Sequence, residues 1–420
     1  MIQAGAAIID ITPPPGLAMS GFAARSLTAT GAHDPLTARA LVIGDTAIVV
    51  ADVIGIDKQM SMRIRQRCSL PTDNVVVAAL HTHGGPVSME GRLGAPSDPA
   101  YLERLEDACV AAINKAATSR RSAEMTIARG SDPRVARNRR HIDGPVDATL
   151  PLLRVRGEDG AMIAVVTGYA CHPVVLAADN LLWTADYPHF VRQALEGAHP
   201  GAIAIFLTGC VGDVNTGHSA HASITLTAAP DRTFDAARRI GSKVAQAALT
   251  AVERPITDSI HVFNDTVMLQ FERREEDSPK ALQKLWRDEA PTAEPARRNL
   301  LGYWTEWAQQ VAPKGQEPMA ARVTLFDWGG ITIVALPGEI FTETALSIRA
   351  GIASGEQSFI IGFAEDNPGY IPPASEFQHG GYEVDEAHRY YGMPITFAPG
   401  SAEALARCAI DLARKLDSAA

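Results

Sequence analysis

Asn74-Val75-Val76-Val77-Ala78-Ala79-Leu80 runs directly into His81-Thr82-His83-Gly84-Gly85-Pro86. The first half is short, apolar and β-branched; the second is polar and rich in breakers. That pattern is a buried strand ending at once in a loop that carries imidazoles. The same device recurs along the chain. Met162 to Ala170 ends in Cys171-His172-Pro173, and Ala202 to Leu207 is followed by Gly209-Cys210-Val211-Gly212-Asp213-Val214-Asn215. Ile331 to Leu336 ends in Pro337-Gly338-Glu339, and Phe359 to Ala364 in Glu365-Asp366-Asn367-Pro368-Gly369-Tyr370. In open α/β sheets, ligands sit beyond the carboxyl ends of strands. If these five strands are neighbours, their His, Asp, Asn, Glu and Tyr side chains meet at one place.

The segments between them set the fold class. Leu36 to Ile43 and Ala47 to Val53 flank Gly44-Asp45, a hairpin signal. Leu152 to Val155 with Met162 to Thr167, and Val323 to Phe326 with Ile331 to Leu336, repeat it. Helical periodicity covers Ala100 to Ala117, His189 to Glu196, Phe234 to Val252, Glu343 to Ala353 and Ala402 to Leu416. Helices mixed with hairpins predict an α/β fold of mixed β-sheets with flanking helices, not a simple doubly wound sheet. Residues 275–317 differ: they are charged and helix-prone, and they carry Trp286, Tyr303, Trp304 and Trp307. They read as a helical excursion between strands. Its aromatics form a packing cluster, or they make a lid or a wall of a substrate pocket.

Composition narrows the function. The chain has 420 residues, 46% hydrophobic and 20% charged, ordinary for a globular protein and long enough for a large core. No apolar run approaches a membrane span. The net charge of −10, from 38 basic and 48 acidic residues, disfavours a nucleic-acid partner. The densest basic stretch, Arg134 to Arg140, reads as a solvated face. Five widely spaced cysteines without a CxxC pair read as reduced thiols of a cytoplasmic protein. The amino terminus shows no basic segment followed by a long apolar one, so no secretory signal is expected.

Imidazole and carboxylate side chains at strand ends suit a catalytic metal, zinc above all, with an open position for water. Such water is acidified and a substrate carbonyl is polarised, so amide or ester hydrolysis follows. Taken singly, each residue has a plainer reading. A strand-end histidine is commonly structural, Glu339 can serve the helix that follows it, and Tyr370 can be a packed tyrosine.

His81-Thr82-His83-Gly84-Gly85-Pro86 resembles the His-Thr-His-Ser-Gly-Pro motif of the neutral, non-lysosomal ceramidases. Gly21-Phe22-Ala23-Ala24-Arg25 and His33-Asp34-Pro35-Leu36 look like that family's N-terminal motifs, and Asn138-Arg139 like its Asn-Arg segment. His172 falls where its second zinc histidine is expected, with Ala185-Asp186-Tyr187 downstream. Pro337-Gly338-Glu339 and Gly369-Tyr370-Ile371 match the segments of its glutamate and tyrosine ligands, and Tyr382-Glu383 its later Tyr-Glu pair. The resemblance spans roughly residues 4 to 400. It implies a ceramidase-like catalytic domain whose Zn2+ is held by His81, His172, Glu339 and Tyr370. It also implies supporting roles for His83, Arg139 and Tyr382 around the reacting carbonyl.

Two departures matter. The family carries a serine in Gly-Asp-x-Ser-Pro-Asn; here the segment is Gly212-Asp213-Val214-Asn215-Thr216-Gly217, and Asn215 stands where the serine would be. Water activated by the metal is then the expected nucleophile, with Asn215 donating a hydrogen bond to substrate or oxyanion. Asp213 either handles a proton or orients its loop. The sequence is also expected to close on an amphipathic helix, without the C-terminal immunoglobulin-like domain of the longer ceramidases. Because the motifs run from the first strands to Tyr382, residues 1–420 are expected to form one catalytic domain with the excursion inserted.

The expected function is zinc-dependent hydrolysis of an N-acyl (amide) bond in a small soluble molecule, without stable membrane insertion. The alternatives are a zinc esterase or lactonase, and a ligand-binding homologue without catalysis.

Overall fold

The structure is a computed structural model that describes residues 1–93, 96–220, 230–273, 278–311 and 317–419. Its main sheet contains β1 (Ile2–Asp10), β2 (Thr37–Ile43), β3 (Thr46–Ala51), β4 (Val75–Ala79), β5 (Arg121–Gly130), β6 (Leu150–Gly157), β7 (Met162–Tyr169) and β8 (Ile203–Thr208). Their spatial order is β8-β7-β6-β5-β1-β2-β3-β4, with Arg254–Pro255 also pairing on β5. The β7–β8 and β3–β4 pairs are parallel, and the inner pairs antiparallel. A second sheet orders β9 (Ile260–Leu269), β10 (Met319–Trp328), β11 (Ile331–Ala335) and β12 (Phe359–Ile361), with β11 and β12 parallel.

The segment after β12 joins the two sheets. Ile361 bridges to Gly209 just beyond β8, and Ala364 bridges to Ala78 in β4. Both outer strands of the main sheet are thus tied to the end of the second sheet, which brings the carboxyl ends of β4, β7, β8, β11 and β12 together. The three expected hairpins are all present.

Strand alternation divides the core. Leu41, Ile43, Ile48, Val50, Val76 and Ala78 pack with Leu152, Val155, Val166 and Phe206 in one cluster. Their neighbours Val42, Ala47, Val49, Val75 and Val77 face α1 (Lys58–Arg67) and α2 (Pro99–Thr118) through Met60, Ile64, Leu105, Cys109 and Ile113. Asp57 and Asp98 cap the two helices by accepting the N–H of Met60 and of Tyr101. Beyond the first face lie α3 (Tyr187–Ala198) and α4 (Phe234–Leu249), and against the second sheet α7 (Thr342–Gly351) and α8 (Ser401–Ala419).

The excursion forms α5 (Pro279–Glu289) and α6 (Pro295–Val311) between β9 and β10; its residues 275–277 and 312–316 lie outside the described residues. Trp286, Trp304 and Trp307 are buried together, with Trp286 lying 5.2 Å from Trp304 and 6.2 Å from Trp307 between ring centroids.

Helix α1 and strands β1, β5 and β9 stand where the sequence reading placed no element. β1 is built of alanine, glycine and isoleucine without clean alternation, and β9 carries Asn264 and Asp265. Ten register partners on β10 hold β9 in place of propensity.

Candidate active site

His81 follows β4 with φ +65°, a left-handed conformation rare for a side chain-bearing residue. Its N–H donates to Val53 O at 2.9 Å, and its ring stacks on Phe363 with centroids 3.9 Å apart. His172 follows β7, and its N–H donates to Val214 O at 3.2 Å. Each imidazole turns Nδ1 to a backbone carbonyl: His81 to Ile54 O at 2.5 Å, His172 to Val211 O at 3.0 Å. A carbonyl only accepts, so Nδ1 carries the proton in both rings and Nε2 keeps a lone pair. Those two Nε2 atoms face each other at 2.8 Å. Glu339 Oε2 stands 3.6 Å from the first and 3.7 Å from the second, buried and without a hydrogen-bond partner.

Glu339 and Tyr370 sit opposite each other in a two-residue parallel pairing beyond β11 and β12. Glu339 Oε1 accepts the hydroxyl of Tyr391. Gly212 passes so close that a Cβ there would lie 2.7 Å from Glu339 O. The Tyr370 hydroxyl accepts Arg139 Nη2 at 2.9 Å, and the same Nη2 donates to Gly212 O at 2.8 Å. Burial raises the Tyr370 pKa well above the usual phenol, with Arg139 opposing the rise. The ring nitrogens of His83 are buried without partners, and ligating nitrogens of His81, His83 and His172 lie within 4.8 Å of one another. The three imidazoles, with Glu339 beside them, are therefore a donor set that could hold a metal ion. The geometry does not set His83 apart from the expected ligands.

The remaining expected site residues divide. Tyr382 lines the cavity at the centre, its ring 5.8 Å from that of Tyr370. Asp213 is not among the residues lining it: Oδ1 accepts the N–H of Thr342 at 2.8 Å and Oδ2 the amide of Asn138 at 2.9 Å, contacts that tie its loop to α7 and to Asn138. Asn215 lines the cavity, but its Oδ1 accepts from Gly217 and His218 at 2.7 and 2.9 Å, and Nδ2 donates to His218 O at 2.7 Å. One Nδ2 hydrogen is left over.

The basic stretch is not a solvated face throughout. Arg139 and Arg140 side chains are 6% and 8% exposed, and both donate to Glu383, at 2.9 and 2.6 Å. Arg140 also reaches Glu376 at 2.8 Å. Two buried carboxylates, 236 and 244 residues further along the chain, hold these arginines inward, and no local pattern announces that.

Other quoted motifs act as scaffolding. Asp34 accepts the N–H of Ala185 at 2.9 Å. Asp186 accepts the N–H groups of Val175, Leu176 and Tyr187, which pins the loop after His172. Arg25 donates to His83 O at 2.9 Å.

The central cavity is small, about 40 Å³. Gly21, Leu93 and Tyr382 line both it and a chamber of about 590 Å³ walled by Tyr303, Trp307 and Tyr390. Trp286 and Trp304 pack, while Tyr303 and Trp307 of α6 face the chamber.

Fold and side chains define an α/β protein with a buried cluster of imidazoles and a carboxylate that could hold a metal ion. The chain belongs to the neutral/alkaline non-lysosomal ceramidase family, whose N-terminal model matches residues 2–217. Glu339 and Tyr370 lie beyond that match. The neutral ceramidase of Pseudomonas aeruginosa shares the fold, with TM-score 0.77, 17% identity, 99% of this chain covered and 74% of that one. A ceramidase complexed with C2 superposes at TM-score 0.75 and 16% identity, covering 99% and 75%. No curated protein matches the chain. Among the described residues, no helix is long and apolar enough to cross a membrane.

Proposed function

We propose that the chain is a zinc-dependent hydrolase that cleaves the amide bond of a small N-acyl compound, with water as the nucleophile. The observation that carries this reading is the pair of Nε2 lone pairs meeting at 2.8 Å beside the unpartnered Glu339 Oε2. Converging lone pairs and a buried carboxylate oxygen repel one another unless a cation lies among them. Imidazole with carboxylate favours zinc, with His81, His172, Glu339 and Tyr370 as its ligands. The chemistry such an ion supplies is a bound water of pKa about 7 and polarisation of a carbonyl.

This chain's own residues do the rest. Arg139, held by Glu383, offers guanidinium hydrogens to the carbonyl oxygen as negative charge develops there. Burial, with the charge of Arg25 nearby, keeps the His83 pKa well below its usual value. His83, whose ring lies within reach of the same centre, is the group we assign to carry the proton to the leaving amine. Asn215 shapes the cavity through the Gly217–His218 turn. Asn215 offers no hydroxyl for a serine-type attack, which supports water as the nucleophile. The chamber receives the larger part of the substrate. Five free thiols support a reducing compartment, the cytoplasm.

The test is metal content together with a hydrolysis screen of N-acyl compounds of graded length, each paired with its ester. About one zinc per chain and amide cleavage favouring short acyl groups are expected. Less than about half an equivalent of zinc overturns the reading. Cleavage of esters alone transfers it to an esterase.

A further inference from the structure

We infer that Tyr391 is a positioning residue that sets the metal affinity of the centre, by holding Glu339 so that only Oε2 meets a cation. The inference rests on the zinc reading above. Tyr391 is 2% exposed, and its hydroxyl donates to Glu339 Oε1. Oε2, the other oxygen of that carboxylate, has no partner and is the one turned to His81 and His172, at 3.6 and 3.7 Å. A carboxylate free to rotate could offer either oxygen or both; with Oε1 engaged, the choice is made before a cation arrives. Groups that hydrogen-bond a ligating carboxylate in this way orient it and tune its affinity.

The backbone is built to let the tyrosine in. Gly369 has φ +103°, and a Cβ on it would lie 2.8 Å from the Tyr391 ring. The Gly369 carbonyl accepts the N–H of Glu339 at 2.9 Å, so one residue admits the ring and anchors the backbone of its partner. Tyr391 also sets its ring at 87° to that of Tyr370, centroids 6.2 Å apart. Glu339, Tyr370 and Tyr391 are thus fixed as a unit. No motif spacing marks Tyr391, because its partner lies 52 residues away in the chain.

The experiment measures zinc affinity by chelator competition in the full chain, for wild type, Tyr391→Phe and Tyr390→Phe. The first variant removes the hydroxyl and keeps the ring. The second alters a neighbouring buried tyrosine of the same aromatic cluster, and circular dichroism checks folding in both. Tyr391→Phe should bind zinc about 10- to 100-fold more weakly, and Tyr390→Phe within about twofold of wild type. With cobalt in place of zinc, the visible absorption of Tyr391→Phe should shift, because the carboxylate is no longer held; packing alone would not move that band. Unchanged affinity and an unchanged cobalt spectrum in Tyr391→Phe overturn the inference. Equal losses in both variants also overturn it, assigning the effect to packing. A wild type that takes up no zinc sinks the function reading itself, which is a separate result.

Discussion

His81 and His172, 91 residues apart in the chain, bring their Nε2 atoms to 2.8 Å. Each ring is turned there by a carbonyl on its Nδ1, from Ile54 and from Val211. Replacing either side chain by a methyl group should leave the strands unchanged and remove a proposed ligand. His81→Ala and His172→Ala should each lose metal and activity together while far-ultraviolet circular dichroism stays native. Full zinc in both variants would refute the ligand assignment.

Arg139 touches Tyr370, Gly212 and Glu383 with a fork that lysine cannot copy. Arg139→Lys should keep its metal and lose about 10²- to 10³-fold in kcat, the scale of removing an oxyanion donor. Metal analysis beside steady-state kinetics checks this; a kcat within a few-fold of wild type would remove Arg139 from the reaction.

Asp213 accepts the first N–H of α7 from outside the helix, where Phe341 provides no side-chain cap. Asp213→Ala should cost about 1–3 kcal/mol, because it strands that N–H and the Asn138 amide. Urea unfolding gives the number. No loss of stability, with activity abolished, would restore a proton-handling role.

Asn215→Ala should retain zinc and lower turnover, since the Gly217–His218 turn at the cavity edge loses its three hydrogen bonds to Asn215. In the chamber, Tyr303→Ala should raise KM for bulky N-acyl compounds more than for the smallest ones. Equal effects across the series would place the substrate elsewhere.

Burial pushes the Asp186 carboxyl up to about 6, despite three backbone N–H donors that favour its charge. A carboxyl raised in the folded state above its ordinary value of 3.8 contributes stability at low pH and loses it as pH climbs toward 6. The advantage of wild type over Asp186→Asn should therefore shrink between about pH 4 and 6.5, read by urea unfolding at each pH. A constant gap would show that the carboxyl titrates normally.

Much of the centre was legible in the residues alone. A β-branched run that stops on His81, or a hairpin partner that stops on His172, announces a strand end by composition. Local chemistry thus named the polar strand ends, the three hairpins and the flanking helices other than α1. Resemblance of short motifs then put His81, His172, Glu339 and Tyr370 into one expected set. Their meeting was not local information. It depends on Ile361 and Ala364 bridging both outer strands of the main sheet, contacts between segments far apart in sequence. The same holds for β1 and β9, whose weak propensity is overruled by their partners. Arg139 and Arg140 look solvated until Glu383 and Glu376 are placed beside them. Asp213 looks reactive until Thr342 and Asn138 occupy its oxygens. Tyr391 looks like any packed tyrosine until Glu339 is found against its hydroxyl. Residue type and spacing determine which groups a chain can offer. Only the packed fold decides which of them lose their water, and which lone pairs are left facing one another.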